Sequence, residues 1–381
     1  MIQMDSYVSG RWEKTINGYT CFIPSFVNLP WRWDHPDIND GLEKAASRLG
    51  ELNAFARLVP SIDLFIQLHV AKEAVVSSRI EGTQTRMDEA LLDFEEVSPE
   101  RRNDWLEVNN YIRAMNLAME EMQTLPVASR LIRHAHAALL ENVRGSHKLP
   151  GEYRRSQNWI GGSSPSNAVF VPPPSDLLND LMGDLENFLH REEDPIPSLI
   201  RIAIAHYQFE TIHPFLDGNG RIGRLMIPLY LIDRGLLSRP LLYLSSYFER
   251  NRSAYYDRLM RVRTHNEIAE WILYFLQGVT EVATESVATL SKVLALKADI
   301  ELQLASRFGR RTAVAFQWVQ QMFRQPVFRV ENVRQVTGLS FKASNDLIAE
   351  FVLAGFVTEM TGQSRNRIFR FEPYLDLFQG A

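Results

Sequence analysis

The chain has 381 residues, 45% of them hydrophobic and 23% charged, with a formal net charge of −5. That length exceeds what one hydrophobic core usually organises, so two or three domains of a soluble globular protein are expected. The acidic balance excludes a chain that is basic throughout but leaves room for a local basic face. A single cysteine, Cys21, excludes an intramolecular disulfide and a thiolate metal cluster, and it fits a reducing compartment.

The opening MIQMDSYVSGRWEKT has no basic start followed by an apolar run, so no secretory signal is read there. The apolar stretch at 225–232 is too short to span a bilayer and is interrupted by Pro228, so no membrane partner and a cytoplasmic location are expected. Residues 1–37 carry Trp, Pro and Tyr without helical period and read as an extended lead-in. From Gly41 the period turns helical. Leu42, Ala45, Ala46 and Leu49 share one face, and Ile62, Phe65, Ile66 and Val70 begin another segment. Helices are predicted over 105–124 and 129–142. Residues 158–171 place two short β-favouring runs around a Gly/Ser/Pro/Asn turn, the pattern of a hairpin, which Pro172, Pro173 and Pro174 end. Helices resume near 175 and again at 198, and continue to about 306. Helices at 312–323, 330–336 and 340–354 then precede two strands, 356–360 and 368–371, around a polar turn. Three helices followed by a hairpin is the order of a winged helix-turn-helix. The fold class is therefore mainly α, with a hairpin in the middle and a winged helix-turn-helix at the end.

The informative segment is HPFLDGNGRIGR at 213–224, a tight loop between two continuous apolar runs. Asp-Gly and Asn-Gly pairs most often make hairpin turns, but those turns join alternating strands, not buried helices. A loop running straight into a helix suits phosphate. Gly218 and Gly220 permit close backbone approach, and the free N–H groups of the first turn point at an anion. Arg221 and Arg224 are three apart and share a helix face, so both can grip one polyphosphate. Asp217 supplies a hard oxygen for Mg²⁺, Asn219 an amide donor, and His213 a base whose reference pKa of ~6.5 lies near working pH. No Gly-Lys-Ser/Thr follows the glycines, which excludes a Walker A loop.

Residues 213–224 resemble the Fic family signature HPFx(D/E)GNGRxxR at every fixed position. The resemblance implies a Fic-type helical core with a β-hairpin flap and a protein adenylyltransferase activity, with ATP as substrate and Mg²⁺ as cofactor. It implies His213 as the catalytic base on a target hydroxyl and Asp217 as the metal ligand. ATP would be bound by Glu81, His213 and the stretch Gly218, Asn219, Gly220, Arg221, Ile222, Gly223 and Arg224. Upstream, Ser77-Ser-Arg-Ile-Glu81-Gly82 reads unaided as a helix end with a glycine stop. It also resembles the family's inhibitory helix (S/T)xxxE(G/N), in which Ser77, Glu81 and Gly82 are fixed. Glu81 would then occupy Arg224 and keep ATP badly placed.

The hairpin, preceded by Gly151-Glu-Tyr-Arg154, resembles the family's flap, which holds a target segment as an added strand. Residues 241–256 resemble the helix that walls adenine, with Tyr247, Arg250 and Asn251 as candidates, although core packing explains those aromatics equally. The resemblance divides the chain into an N-terminal helical region (1–125, inhibitory helix about 70–82), a catalytic core (126–285), a linker helix (286–306) and a winged helix-turn-helix (307–381). Several outcomes stay open: removal of AMP by the same site, transfer of another phosphate-linked group, or a DNA-binding regulator with nucleotide as conformational ligand. Gly220 favours AMP over phosphate, since the phosphorylating branch has lysine there. Arg329, Arg334, Lys342, Arg365, Arg367 and Arg370 make DNA a candidate partner, against Asp346 and Glu350 on the presumed recognition helix. The target protein is unknown; the chain itself and a homodimer are further candidates.

Overall fold

Strand β1 (Ile2–Gln3) opens the chain, followed by β2 (Gly10–Lys14), β3 (Thr20–Pro24) and β4 (Trp31–Arg32). The lead-in is therefore paired, not merely extended: β2 and β3 form an antiparallel hairpin and β1 runs parallel to β4. Trp12 and Phe22 come directly opposite in that register with ring centroids 5.1 Å apart. Such an aromatic cross-strand pair stabilises a short ladder by roughly 0.2–1 kcal/mol. The computed structural model describes residues 2–59, 62–143, 145–192, 196–363 and 365–379.

Helices follow as α1 (Pro36–Leu58), α2 (Asp63–Ile80), the short α3 (Met87–Ala90), α4 (Arg102–Glu121) and α5 (Ser129–Leu139). After the central hairpin come α6 (Leu178–His190), α7 (Ser198–Ile212), α8 (Asn219–Asp233), α9 (Ser245–Arg250), α10 (Arg252–His265) and α11 (Ile268–Arg307). Helix α7 is buried along nearly its whole length, as an all-round apolar helix must be, and forms the axis of the core. Helix α11 crosses it, and the Trp271 indole N–H donates to the Ala203 carbonyl at 2.8 Å. The linker expected at 286–306 is not a separate helix but the second half of the 40-residue α11. Among the described residues, no helix is long and apolar enough to cross a membrane.

The central hairpin is narrower than the sequence suggests. One antiparallel bridge, Ile160 with Phe170, holds it, and Gly161 and Gly162 turn the chain at φ 68° and 71°. It does not stand alone, because the Phe22 N–H of β3 donates to the Val171 carbonyl at 2.9 Å.

The C-terminal part contains α12 (Thr312–Arg324), β5 (Val327–Arg329), α13 (Val330–Thr337), α14 (Phe341–Leu353), β6 (Thr358–Glu359), β7 (Ile368–Arg370) and α15 (Glu372–Gln379). The three expected helices are present, and β5 and α15 are additions to that expectation. The three strands form an antiparallel sheet in the order β5-β7-β6. This unit packs on α2. Phe65 lies 5.5 Å from Phe323 and 6.4 Å from Tyr374, and His69 lies 4.9 Å from Phe378.

Candidate active site

Helix α7 ends at His213, which takes a left-handed conformation (φ 51°, ψ 60°) and donates its N–H to the Phe209 carbonyl at 2.9 Å. The chain then reverses, and Asn219 closes the reversal. Its Oδ1 accepts from the Phe215 N–H and its Nδ2 donates to the Phe215 carbonyl, both at 2.8 Å. Asn219 thus shapes the loop with the side chain expected to serve as an amide donor to phosphate. Gly218 (φ 77°) heads α8, and a Cβ there would sit 3.2 Å from Leu139. The hydrogen bonds of α8 begin with the Ile222 N–H on the Gly218 carbonyl at 3.0 Å. The N–H groups of the preceding turn therefore lie outside the helix's own ladder, the arrangement with which a helix N-terminus can receive an anion.

Two residues expected at the nucleotide also serve the core. The Ile222 side chain is buried and its N–H is spent in the helix. Gly223 allows α7 to approach, since a Cβ there would lie 2.4 Å from the Glu210 carboxylate.

Three residues to which the sequence analysis gave no role at the site hold the loop. The Arg154 Nε donates to the His213 carbonyl at 3.0 Å, and its terminal nitrogens donate to the carbonyls of Ser156, Pro173 and Ile212 at 3.3, 2.5 and 3.4 Å. Among the described residues no carboxylate pairs with it, and burial lowers its pKa to about 10. Asn158 donates to the Phe215 carbonyl at 2.8 Å. His136 stacks on Phe215 at 3.7 Å and 8°, accepts the Gly151 N–H at Nδ1 (2.8 Å) and donates from Nε2 to the Asp217 carbonyl (3.0 Å). These bonds fix the neutral Nε2–H tautomer, and burial pushes its pKa down to about 4. The signal available was the Gly151-Glu-Tyr-Arg154 run; nothing in the sequence marks His136.

Arg154→Lys is expected to lower kcat about 10–100-fold with nucleotide affinity retained. One ammonium cannot replace a fork spread over four carbonyls, and a misplacement near 1 Å costs about 10²-fold. Single-turnover rates beside calorimetric ATP titration check this; an unchanged kcat would remove Arg154 from the positioning of His213.

The arginines of the motif are both paired. Arg224 is buried, with 2% of its side chain accessible; its Nη2 donates to Glu81 at 2.6 Å. Its Nε and Nη2 also donate to the Ser77 hydroxyl and carbonyl, each at 2.9 Å. Helix α2 ends beside it, and Gly82 (φ 107°) takes the chain away, as expected of a helix stop. Burial opposes ionisation of Glu81, but the Arg224 charge, with Arg221 behind it, outweighs burial and holds its pKa below the ordinary carboxylate value. The Glu81 carboxylate lies 2.4 Å from where a Cβ on Gly220 would be, over the first turn of α8.

Arg221 is buried between Glu107 at 3.2 Å and Asp217 at 3.6 Å, a pairing with α4 that the sequence did not reveal. Asp217 accepts the Gly218 N–H at 2.6 Å on Oδ1, and its side chain remains 40% accessible. Among the described residues no group of three or more His, Cys, Asp or Glu could hold a metal ion. One open carboxylate beside an anion site matches the needs of Mg²⁺, which takes one or two carboxylates with phosphate oxygens and water.

His213 is kept neutral. Burial, then the nearby charges of Arg154 and Arg263, push its pKa down to about 3. Arg263 also lies 3.8 Å over the Phe170 ring, tying α10 to the hairpin beside the base. Tyr247, Arg250 and Asn251 are organised by α11 and by each other. Tyr247 packs at 4.9 Å on Tyr274, Arg250 pairs with Glu285 at 2.8 Å, and Asn251 donates to the Tyr247 carbonyl at 3.0 Å. The next residue along brings this corner to the site, because Arg252 donates to the Ile80 carbonyl at 2.8 Å.

Residues 39–120 match the Fic/DOC family N-terminal domain and residues 126–231 the Fic/DOC family domain. A probable protein adenylyltransferase of Aquifex aeolicus is 28% identical over 177 residues, 46% of this chain and 52% of that protein. The protein adenylyltransferase Fic of Drosophila grimshawi is 34% identical over 136 residues, 34% of this chain and 26% of that protein. The chain thus spans about half the length of the first of these relatives and about a quarter of the second. A Fic family protein from Desulfovibrio desulfuricans shares the fold at TM-score 0.57 and 20% identity, over 90% of this chain and 98% of that one. A Fic domain containing signaling protein from Bacteroides thetaiotaomicron does so at TM-score 0.52 and 22% identity, over 66% and 95%.

Proposed function

The chain belongs to the Fic/DOC family, and from that premise we propose that it transfers AMP from ATP to a hydroxyl side chain of a target protein and is held back by Glu81. The observation that carries this reading is a half-buried His213 at the head of the loop that runs into the N-terminus of α8, with Arg224 of that helix occupied by Glu81. In the step proposed, His213 takes the proton of the target hydroxyl, and that oxygen attacks the α-phosphorus of ATP. The P–O bond to the β-phosphate breaks, and pyrophosphate leaves with the electron pair. The first-turn N–H groups of α8 stabilise the phosphate charge that develops. Asp217 would hold Mg²⁺, which would supply charge neutralisation. Arg221 and Arg224 bind the polyphosphate once Glu107 and Glu81 share or release them. A reducing compartment such as the cytoplasm is in keeping with the one buried, unpaired Cys21.

Incubation of the wild-type chain and a Glu81→Gly variant with Mg-ATP, followed by intact-mass measurement, tests this. Self-modification by the mass of one AMP is expected, mainly in the variant. Addition of phosphate alone, or no release of pyrophosphate with any added acceptor protein, would overturn it.

A further inference from the structure

The charge of this acidic chain is unevenly placed. Residues 307–381 hold ten Lys/Arg against six Asp/Glu, a net +4, which leaves −9 on the remainder. Part of that positive charge lines one cleft of about 540 Å³ in the C-terminal unit. It is lined by the start of α14, with Phe341 and Asn345, by the β6–β7 hairpin, with Arg365 and Arg367, and by the turn from β5 into α13, with Arg329 and with Glu331, an acid that Arg334 pairs at 3.2 Å. Arg367 bridges the two walls by donating to the Asn345 side chain at 2.7 Å. The first turn of α14 carries no acid, and Ser340 caps it. Of the two acids on that helix, Glu350 is already neutralised by Arg311 at 2.9 Å.

The same unit holds down one particular stretch of the catalytic half. Residues 82–106 connect Glu81, the partner of Arg224, to Glu107, the partner of Arg221. Arg329 pairs with Glu96 on that stretch, and Arg370 lies 4.0 Å from Asp88. One arginine of the cleft is thus shared with the connector between the two carboxylates that occupy the motif's arginines.

We propose that this cleft is a duplex-DNA site and that its occupancy loosens Glu81 from Arg224 through the Arg329–Glu96 contact. A helix N-terminus and a basic hairpin separated by a cleft match a phosphate backbone entering between them. A DNA phosphate at Arg329 competes with Glu96, so binding favours the state in which residues 82–106 are less restrained. Linkage requires the converse: the released state binds duplex more tightly. The inference rests on the reading of Glu81 as a brake.

The test uses the full chain and a fluorescein-labelled duplex of mixed sequence, followed by anisotropy across a salt series. Affinity should fall steeply with salt. Arg365→Glu/Arg367→Glu should weaken binding and flatten the slope by about 1 for each phosphate that is no longer neutralised. Arg365→Glu alone, on an exposed side chain, covers the case in which the Arg367 change disturbs the fold. In parallel, the duplex should raise self-modification of the wild type several-fold, leave Glu81→Gly unaltered and fail to act on the Arg365/Arg367 variant. Absence of salt-dependent binding would overturn the site, as would displacement of the duplex by polyglutamate at equal affinity, which would mark a surface for an acidic protein. Duplex binding with no rise in the wild-type rate, beside a faster Glu81→Gly, would overturn the coupling and leave the brake intact. A Glu81→Gly variant no faster than wild type would sink the brake instead, while duplex affinity is still measured independently.

Discussion

Glu81→Gly is expected to raise AMP transfer about 10–100-fold over the wild type. Glu81 adds nothing favourable to a polyphosphate site; it takes one Arg224 N–H at 2.6 Å and places a negative charge over the first turn of α8. A charge-assisted hydrogen bond restored to the nucleotide contributes about 1.5–3 kcal/mol, and about 1.36 kcal/mol corresponds to tenfold in rate. The stability cost is smaller than for a fully buried pair. The Glu81 side chain is 36% accessible, and Arg224 keeps both bonds to Ser77. The loss therefore falls between the ~0–1 kcal/mol of surface pairs and the ~3–5 kcal/mol of broken buried ones. Arg224→Ala should cancel the gain, because both changes act through one contact and are not additive. The pH dependence follows from sign. Glu81 has a folded pKa below its unfolded value, so the pair stabilises fully above the unfolded pKa and is lost as pH falls through the folded one. The brake therefore holds at neutral pH and is not released by mild acid. Initial rates with labelled ATP for wild type, both single variants and the double variant decide the matter; equal rates for wild type and Glu81→Gly would make residues 77–82 only a helix end.

Much of this geometry was legible because it is local in sequence. Residues 213–224 carry a histidine, an acid, glycines and arginines within one loop and the start of one helix, and in the structure Arg221 reaches Asp217 while Arg224 reaches Glu81. The Glu81–Arg224 pair spans 143 residues, and only the resemblance of Ser77 to Gly82 made it legible. What escaped is long-range and chemically unmarked. Arg154 bonds only to carbonyls, which every residue owns, so no partner type in the sequence betrays it. Glu107 is an ordinary acid on an amphipathic helix until α4 packs beside α8. Asn219 and Ile222 are expected at the nucleotide because they lie inside the motif, and the sequence did not show that the first also closes the loop and the second also fills the core. A dense motif must also fold itself, and sequence spacing does not separate those duties. The β2–β3 hairpin was missed for a related reason, since its stability comes from a cross-strand pair and from the Val171 carbonyl far along the chain.

His213→Ala should lower transfer by about 10²–10⁴-fold while ATP binding survives, the span typical of a lost general base. The side chain makes its contribution in the transition state, when the target hydroxyl gives up its proton, so kcat falls and ground-state affinity does not. The loop itself should persist, because its hold on position 213 runs through backbone: the Phe209 carbonyl on its N–H and Arg154 on its carbonyl. The left-handed φ of 51° at this position suits histidine somewhat better than alanine, a small cost beside those backbone bonds. The measurement is best made in the Glu81→Gly background, where the rate is high enough to lose and no acid release of the brake intrudes. That background gives a second readout. With a pKa near 3, His213 in the free enzyme is already neutral throughout the range in which an ordinary histidine titrates. Lowering the pH from about 8 to about 5.5 should therefore leave kcat/KM for ATP without the acid limb that a pKa of ~6.5 would impose. An acid limb at that ordinary position, abolished in His213→Ala, would show a base far better hydrated than burial beside Arg154 and Arg263 permits. Loss of ATP affinity in step with the loss of rate would move His213 from proton transfer to nucleotide binding.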